Sequence, residues 1–432
     1  MSRYKPYPEY KDSGVEWIGE VPAHWGVIAA KRLFSLYRRD RHDGSEQLAA
    51  TQDYGVIPQS EYMDRVGNRV MQALGGLDGF KDVKKDFFVI SLRSFEGGIE
   101  RCHYNGCISP AYTVLKPASS VNPKFFERLL KSPLFIQSLN TVTTGIREGK
   151  TITYGQFGEI GLTLPPSYEQ SQIATFLNRE TTRIDTLIEK KQRFIELLEE
   201  KRQAVITHAV TKGLDPNVPM KDSGVEWIGE VPAHWEVKRV GRVFSVVAGH
   251  PFRSMLFATE GIPIVRMSNL LNGVVSHRCV RRIQREYVPD TAYAKAGDLL
   301  VGLSGSITNY ALVNEDDLPC AVNQRVGILR GEKGIELMGY IATTSIFTDQ
   351  ISAATNEATI QNVSMEDVRS CRIPWPHNDE RDDILRFLDR ETTRIDTLIE
   401  KTRQSIELLK ERRSALITAA VTGKIDVREE AA

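Results

Sequence analysis

The stretch Gly145-Ile146-Arg147-Glu148-Gly149-Lys150-Thr151 has the residue types of a phosphate-binding loop. A nucleotide loop needs four residues between its glycines so that successive N–H groups curl around the phosphates; this one has three, and it follows a helical stretch, not a buried strand. What remains is a basic, glycine-containing loop suited to touching a phosphate backbone. Cys102-His103 with Cys107 has metal-ligand spacing, but no second Cys/His pair closes a tetrahedral zinc site. Five scattered cysteines do not make a disulfide framework either, so they read as buried thiols. There is no Asp/Asn-Pro-Pro-aromatic motif of an adenine methyltransferase, no nuclease carboxylate cluster and no glycine-rich dinucleotide turn. The eight histidines do not pair at catalytic or metal spacing. The chain carries no catalytic machinery of its own on this reading, and no metal site.

Two sets of polar residues fit a different chemistry. The first is Arg38, Arg39 and Arg41, then Arg93-Ser94, Arg101 to Tyr104, and Arg147 with Lys150. The second is Arg266, Ser268, Asn269, Arg278, Arg281-Arg282, Ser304 and Asn323-Gln324-Arg325. Arg, Asn, Gln and Ser match the donor and acceptor pairs on base edges in the major groove. Any one of them could equally be a solvated surface side chain.

The elements that must position these residues come in duplicate. Residues 11–25, Lys-Asp-Ser-Gly-Val-Glu-Trp-Ile-Gly-Glu-Val-Pro-Ala-His-Trp, return letter for letter at 221–235, and 176–190 return at 387–401 with Asn178 changed to Asp389. Arg32, Phe34 and Ser35 match Arg242, Phe244 and Ser245; beyond them the halves diverge until Leu164 and Pro374. Each half is therefore a lead-in block, a variable region and a long repeated helix. Asp86–Ser91 and Asp298–Gly302 read as buried strands, as do the runs after Cys107 and Cys320; 123–139 and 335–351 read as helical. One α+β fold is used twice and diverges on its surface.

The long helices have clear boundaries. Ser167 with Gln170 makes a capping-box pattern, Asn378 is the partner N-cap, and Gly213 and Gly423 are stop signals. The expected seam is Ile184, Leu187, Phe194, Leu198 and Val205 in the first helix, with Ile395, Leu398, Leu409 and Leu416 in the second. Seven basic and six acidic residues between Arg179 and Arg202 make the mixed surface of a coiled coil. About 43 residues per helix, at about 1.5 Å each, give a rod of roughly 60 Å.

Composition narrows the class. An apolar content of 41% supports ordinary cores, and with no apolar run of about 18 residues and no signal peptide the expectation is a soluble, cytoplasmic protein without a membrane partner. Net charge is zero overall; residues 36–165 carry 16 basic and 14 acidic side chains, and 246–375 carry 12 and 13. Phosphate neutralisation supplies much of protein–DNA affinity, so a DNA-binding role would need a more basic partner to share the grip.

The frame resembles the specificity subunit of type I restriction–modification systems. The resemblance rests on the duplicated lead-in block, on Leu164-Pro165-Pro166-Ser167-Tyr168-Glu169-Gln170 through Ile173, and on the tail 407–426. It implies two target-recognition domains related by a pseudo-twofold and held apart by two long antiparallel coiled-coil helices. The divisions are 1–165, 166–215, 216–375 and 376–432. It further implies that the domains read the two halves of a bipartite, asymmetric double-stranded DNA target. The helices set the unread gap and dock two modification (methyltransferase) subunits, with up to two ATP-dependent restriction subunits beyond them. No cofactor belongs to this chain; S-adenosylmethionine, ATP and magnesium go with those partners. Half-sites about one helical turn apart, about 34–36 Å, are within reach of a roughly 60 Å rod. Two other readings stay open: a structural protein whose paired modules bind other proteins, and a self-contained methyltransferase or nuclease, which the missing motifs disfavour.

Overall fold

A computed structural model describes residues 4–67, 79–142, 152–271, 273–303, 309–354 and 363–429. The repeated lead-in block folds the same way twice. Asp12 accepts a hydrogen bond from the Gly14 N–H at 2.9 Å, and Asp222 does the same for Gly224. Both glycines have positive φ, near 70°, where a side chain would be strained. Each turn closes a short hairpin: Tyr10–Asp12 with Glu20–Pro22, and Met220–Asp222 with Glu230–Pro232.

The chain forms two compact units, residues 1–191 with 403–432, and residues 192–402. In the first unit the core sheet is antiparallel, in the order Phe34–Tyr37, Thr113–Pro117, Phe88–Ile90, Glu100–Arg101. Helices Pro123–Leu129 and Pro133–Val142 cover it, and the core between them is aromatic: Phe34 meets Phe88 at 5.3 Å and Phe126 at 5.5 Å, both edge-on. A smaller cluster of Leu48, Val56, Val83, Cys102 and Ile108 lies under the hairpin Leu48–Thr51/Gly55–Pro58. In the second unit the same three-strand centre recurs as Ser245–Ala248, Val326–Arg330 and Leu299–Gly302, extended by three more strands into a six-stranded sheet. Helices Ile335–Ala342 and Ser345–Ala354 take the places of the first unit's pair. Among the described residues, a separate four-stranded sheet, Phe257–Ala258, Arg281–Ile283, Ile262–Val265, Ala321–Val322, is found in this unit and not in the first. The α+β fold used twice is what the structure shows.

Two long helices, α1 (Ser167–Lys212, 46 residues) and α2 (Asn378–Val421, 44 residues), contribute a segment to each unit. Within the first unit Thr163 bonds the Val421 carbonyl and Asp185 pairs with Arg413 at 2.8 Å, so the two segments run antiparallel. The equivalent ion pair in the second unit is Arg202 with Asp396 at 2.9 Å.

The duplicated His-Trp explains itself at the helix ends. In the first unit Glu169, in the opening turn of α1, accepts from the Tyr7 hydroxyl and contacts His24 Nε2 at 2.9 Å. In the second, Glu380 in the opening turn of α2 meets His234 Nε2 at 2.7 Å and accepts from Trp235 Nε1 at 2.8 Å. A carboxylate there also complements the positive end of the helix dipole. Glycines Gly213 and Gly423, both at φ 73°, end α1 and α2 against those same tryptophans; a Cβ on Gly423 would lie 2.3 Å from the Pro22 ring.

Three expectations need correcting. Gln170 closes no capping box: its amide bonds the Ser120 and Pro165 carbonyls and the Asn122 N–H, and so anchors the domain to the helix. Leu187, Phe194 and Leu398 are 43%, 45% and 39% exposed, so they are not seam residues. At 100° per residue they fall some 60–80° to one side of Ile184 or Ile395. The buried line runs instead through Ile184, Ile195, Leu198 and Ile206, and through Ile395, Ile399, Ile406 and Leu416, with Val205 and Leu409 half-buried beside it. Finally, Cys279 is exposed, whereas the other four thiols are buried.

Candidate nucleic-acid interface

Strand register decides which polar residues meet. In the first unit Tyr37 and Val89 both lie opposite Val114, so Arg38-Arg39 and Ser91-Leu92-Arg93 leave the sheet at one and the same edge. In the second unit Ala248 and Val301 both lie opposite Gly327, and the loops carrying His250 and Leu303 leave at the matching edge, beside Arg325. The four-stranded sheet adds to it. Val265 and Val322 are parallel neighbours and Ile264 lies opposite Arg281, so Arg266 to Ser268, Arg278 to Arg281, and Asn323 to Arg325 all gather at one end. Residues far apart in sequence thus form one polar rim in each unit.

The first rim is cationic around a cleft of about 340 Å³ lined by Tyr37, Arg38, Arg39, Asp40 and Lys81 among others. Arg38 and Arg39 are exposed; Arg39 leans over the Tyr37 ring at 5.8 Å, and Tyr37 is itself fixed by donating to Asp82 at 2.7 Å. Arg41 is half-buried and 3.6 Å from Asp43. Lys81, which the sequence did not single out, donates to the Pro110 and Tyr112 carbonyls at 2.6 Å. Burial, and then the neighbouring Arg38 charge, hold its ammonium below the usual lysine range. An anion in this cleft would relieve both. The only sequence signal for Lys81 was membership in Lys81-Asp82-Val83-Lys84-Lys85, a run without periodicity.

Several candidates turn out to be structural. Arg101 is 9% exposed and locked between Asp86, at 2.6 and 2.9 Å, and Glu127 at 2.9 Å. Burial disfavours its charge, but the two carboxylates outweigh that and raise its pKa. Ser94, 1% exposed, accepts from the Ser91 N–H and shapes a turn. Asn269, 1% exposed, accepts from the Arg266 N–H and donates to the Ser276 and Arg278 carbonyls, so it braces the loop that displays its neighbours. Tyr104 is exposed but lies with Arg101 at the opposite edge of the sheet, where its hydroxyl bonds Glu61.

In the second unit Ser268, Arg278, Arg281, Gln324 and Arg325 are exposed on the rim. Arg266 and Asn323 are half-buried: Arg266 donates to the Cys279 carbonyl at 3.2 Å, and Asn323 accepts from the Arg325 N–H. Arg282 is exposed and donates to the Gly261 carbonyl. Arg147, Lys150 and Ser304, and the whole loop 145–151, lie outside the described residues. Cys102 and Cys107 are not a thiolate pair, since burial pushes the Cys102 thiol up to about 12 and raises Cys107 as well. Among the described residues no three His, Cys, Asp or Glu side chains converge as a metal ion would need, and no helix is long and apolar enough to cross a membrane.

Residues 232–408 match the family described as the type I restriction modification DNA specificity domain. That stretch of the chain is similar to the family's domain. Among its relatives is the type I restriction enzyme MjaVIII specificity subunit of Methanocaldococcus jannaschii, 26% identical over 63% of this chain and 64% of that one. The type I restriction enzyme EcoKI specificity subunit of Escherichia coli K12 is 25% identical over 46% of this chain and 44% of its own length. The chain thus aligns with less than two thirds of either relative. The likeness in fold extends further than the likeness in sequence. A chain from a structure of a type I restriction–modification system, solved for its complex assembly and conformational transition, superposes with a TM-score of 0.74 at 15% identity over 94% of this chain and 99% of that one. The HsdS subunit from Thermoanaerobacter tengcongensis superposes at 0.57, with 16% identity over 94% and 98%.

Proposed function

We propose that this chain is the DNA sequence-specificity subunit of a type I restriction–modification complex acting in the cytoplasm. The observation that carries the reading is the pair of rims: one sheet edge, in both units, displaying different polar side chains. A shared frame with unlike reading edges fits an asymmetric, bipartite target, each domain contributing about 1–3 kcal/mol of discrimination per wrong base pair. On this reading 1–165 and 216–375 recognise the half-sites, and 166–215 and 376–432 form the spacer. Leu187, Phe194, Leu197, Leu398 and Leu408, all exposed on α1 and α2, give two modification subunits apolar surface to dock on. Those subunits hold S-adenosylmethionine, and up to two restriction subunits hold ATP and magnesium; this chain catalyses nothing itself. Near-neutral recognition regions leave much of the phosphate grip to the partners.

Co-expression with the cognate methyltransferase subunit in a methylation-free host, followed by mapping of N6-methyladenine, tests this. The expected product is a split, non-palindromic motif with a fixed gap. Absence of new methylation despite a stable complex would sink the reading.

A further inference from the structure

The repeated helix block differs at one position, Asn178 in the first copy and Asp389 in the second. The structure gives that difference a partner. Tyr340, on Ile335–Ala342, donates to Asp389 Oδ1 at 2.7 Å and stands 3.2 Å from Thr392 Oγ1. With its one proton given to Asp389, the Tyr340 oxygen accepts from the Thr392 hydroxyl, whose proton is shared with the Leu388 carbonyl. The first unit's helix Pro123–Leu129 buries Phe125, Phe126, Leu129 and then Leu130, in step with Leu337, Met338, Ile341 and Ala342. That alignment puts Arg128 where the second unit has Tyr340. The helix residue and the residue at the aligned position of the domain helix therefore both differ between the units.

Ile384 and Leu388 of α2 pack into the domain's core, and Tyr340 lies half-buried at the margin of that contact. A cleft of about 300 Å³ opens there, with Leu299, Tyr310, Leu312 and Ile335 in its lining. Close-packed interiors resist tilting, whereas a cleft leaves the domain room to rock. Apart from Tyr340, the polar ties nearby are Gln203 to the Thr343 carbonyl at 3.0 Å and the Arg202 guanidinium, itself paired with Asp396, at the Tyr310 hydroxyl. A hydrogen bond to a carboxylate is among the stronger ones.

We propose that Tyr340, held by Asp389 and Thr392, is a positioning residue that fixes the tilt of the second recognition domain on its helices and thereby the number of unread base pairs. The proposal rests on the DNA-specificity reading above. Its leverage is geometric: a surface roughly 20 Å from the helix moves by one base-pair rise, about 3.4 Å, when the domain tilts by about 10°.

The test uses the full chain with its methyltransferase subunit and the variants Tyr340→Phe, Asp389→Ala and Asp389→Asn. Asp389 is exposed, so its replacement leaves the fold intact. In Tyr340→Phe and Asp389→Ala, methylation at sites whose gap is one base pair longer or shorter should rise roughly tenfold relative to the native gap, the worth of one hydrogen bond to a charged group. Asp389→Asn keeps an acceptor and should keep the native gap, and half-site bases should stay the same throughout. Methylation that falls evenly at an unchanged gap, or altered half-site bases, would overturn the proposal. Amide hydrogen exchange over 335–342 is read on the same variants and should quicken in the first two. If the native chain directs no split-motif methylation, the specificity reading fails by itself; unchanged exchange in Tyr340→Phe counts against the tether regardless.

Discussion

Glu100 shows what a residue's type does not say. It reads as a surface acid, yet it is 2% exposed in the core sheet, 2.7 Å from Lys131. Burial raises its pKa to about 7, with Lys131 pulling it back down. Because the folded value lies above the unfolded one, the folded state binds the proton more tightly. Stability is then full below the unfolded pKa and is lost as pH rises toward about 7. At about 1.4 kcal/mol per unit, the first unit should lose on the order of 3 kcal/mol between pH 4 and pH 8. Urea unfolding across that range should show the loss in the native chain and little of it in Glu100→Gln. The same blindness to burial misplaced Arg101, Ser94 and Asn269: their types suit base edges, but each is spent inside its own domain. Arg38, Arg39 and Arg325 were legible because they sit just outside apolar strands, where the chain has to surface.

At the scale of elements, the long helices were readable from end to end, since period, N-cap types and stop glycines all agreed. The seam was not, because the three-residue step from Ile184 to Leu187, and from Ile395 to Leu398, falls about 60° short of a full turn, and only packing shows which side of that drift is covered. Helix ends offer a sharp comparison. Gly423 and Gly14 both have positive φ, but a Cβ on Gly423 would strike Pro22 and Trp25, while one on Gly14 would meet nothing within 4 Å. Gly14→Ala should cost about 1–2 kcal/mol, the backbone penalty alone. Gly423→Ala should cost about 1–3 kcal/mol more, as overpacking against a rigid ring does. Thermal melts of both variants separate the two; equal shifts would mean the Trp25 junction can move.

At the scale of the whole molecule, a formal charge of zero and recognition regions near neutrality make affinity a shared property of the complex. Specificity should nevertheless be divisible. Exchanging residues 36–165 for those of a relative with another target, and keeping both helices, should rewrite one half of the methylated motif and spare the other. A change in both halves would mean that the domains do not read independently.

The sequence by itself determined the duplication, the α+β class, the long helices and the family resemblance, because these rest on periodicity and on residue order, which survive without coordinates. It also confined the reading surface to the stretches where the repeat fails. Which side chains in those stretches reach the rim was decided only by tertiary structure. Strand register set Arg38 beside Arg93 and Arg266 beside Asn323, and burial withdrew Arg101, Ser94 and Asn269. Register and burial depend on contacts between residues far apart in the chain, and no local pattern encodes them.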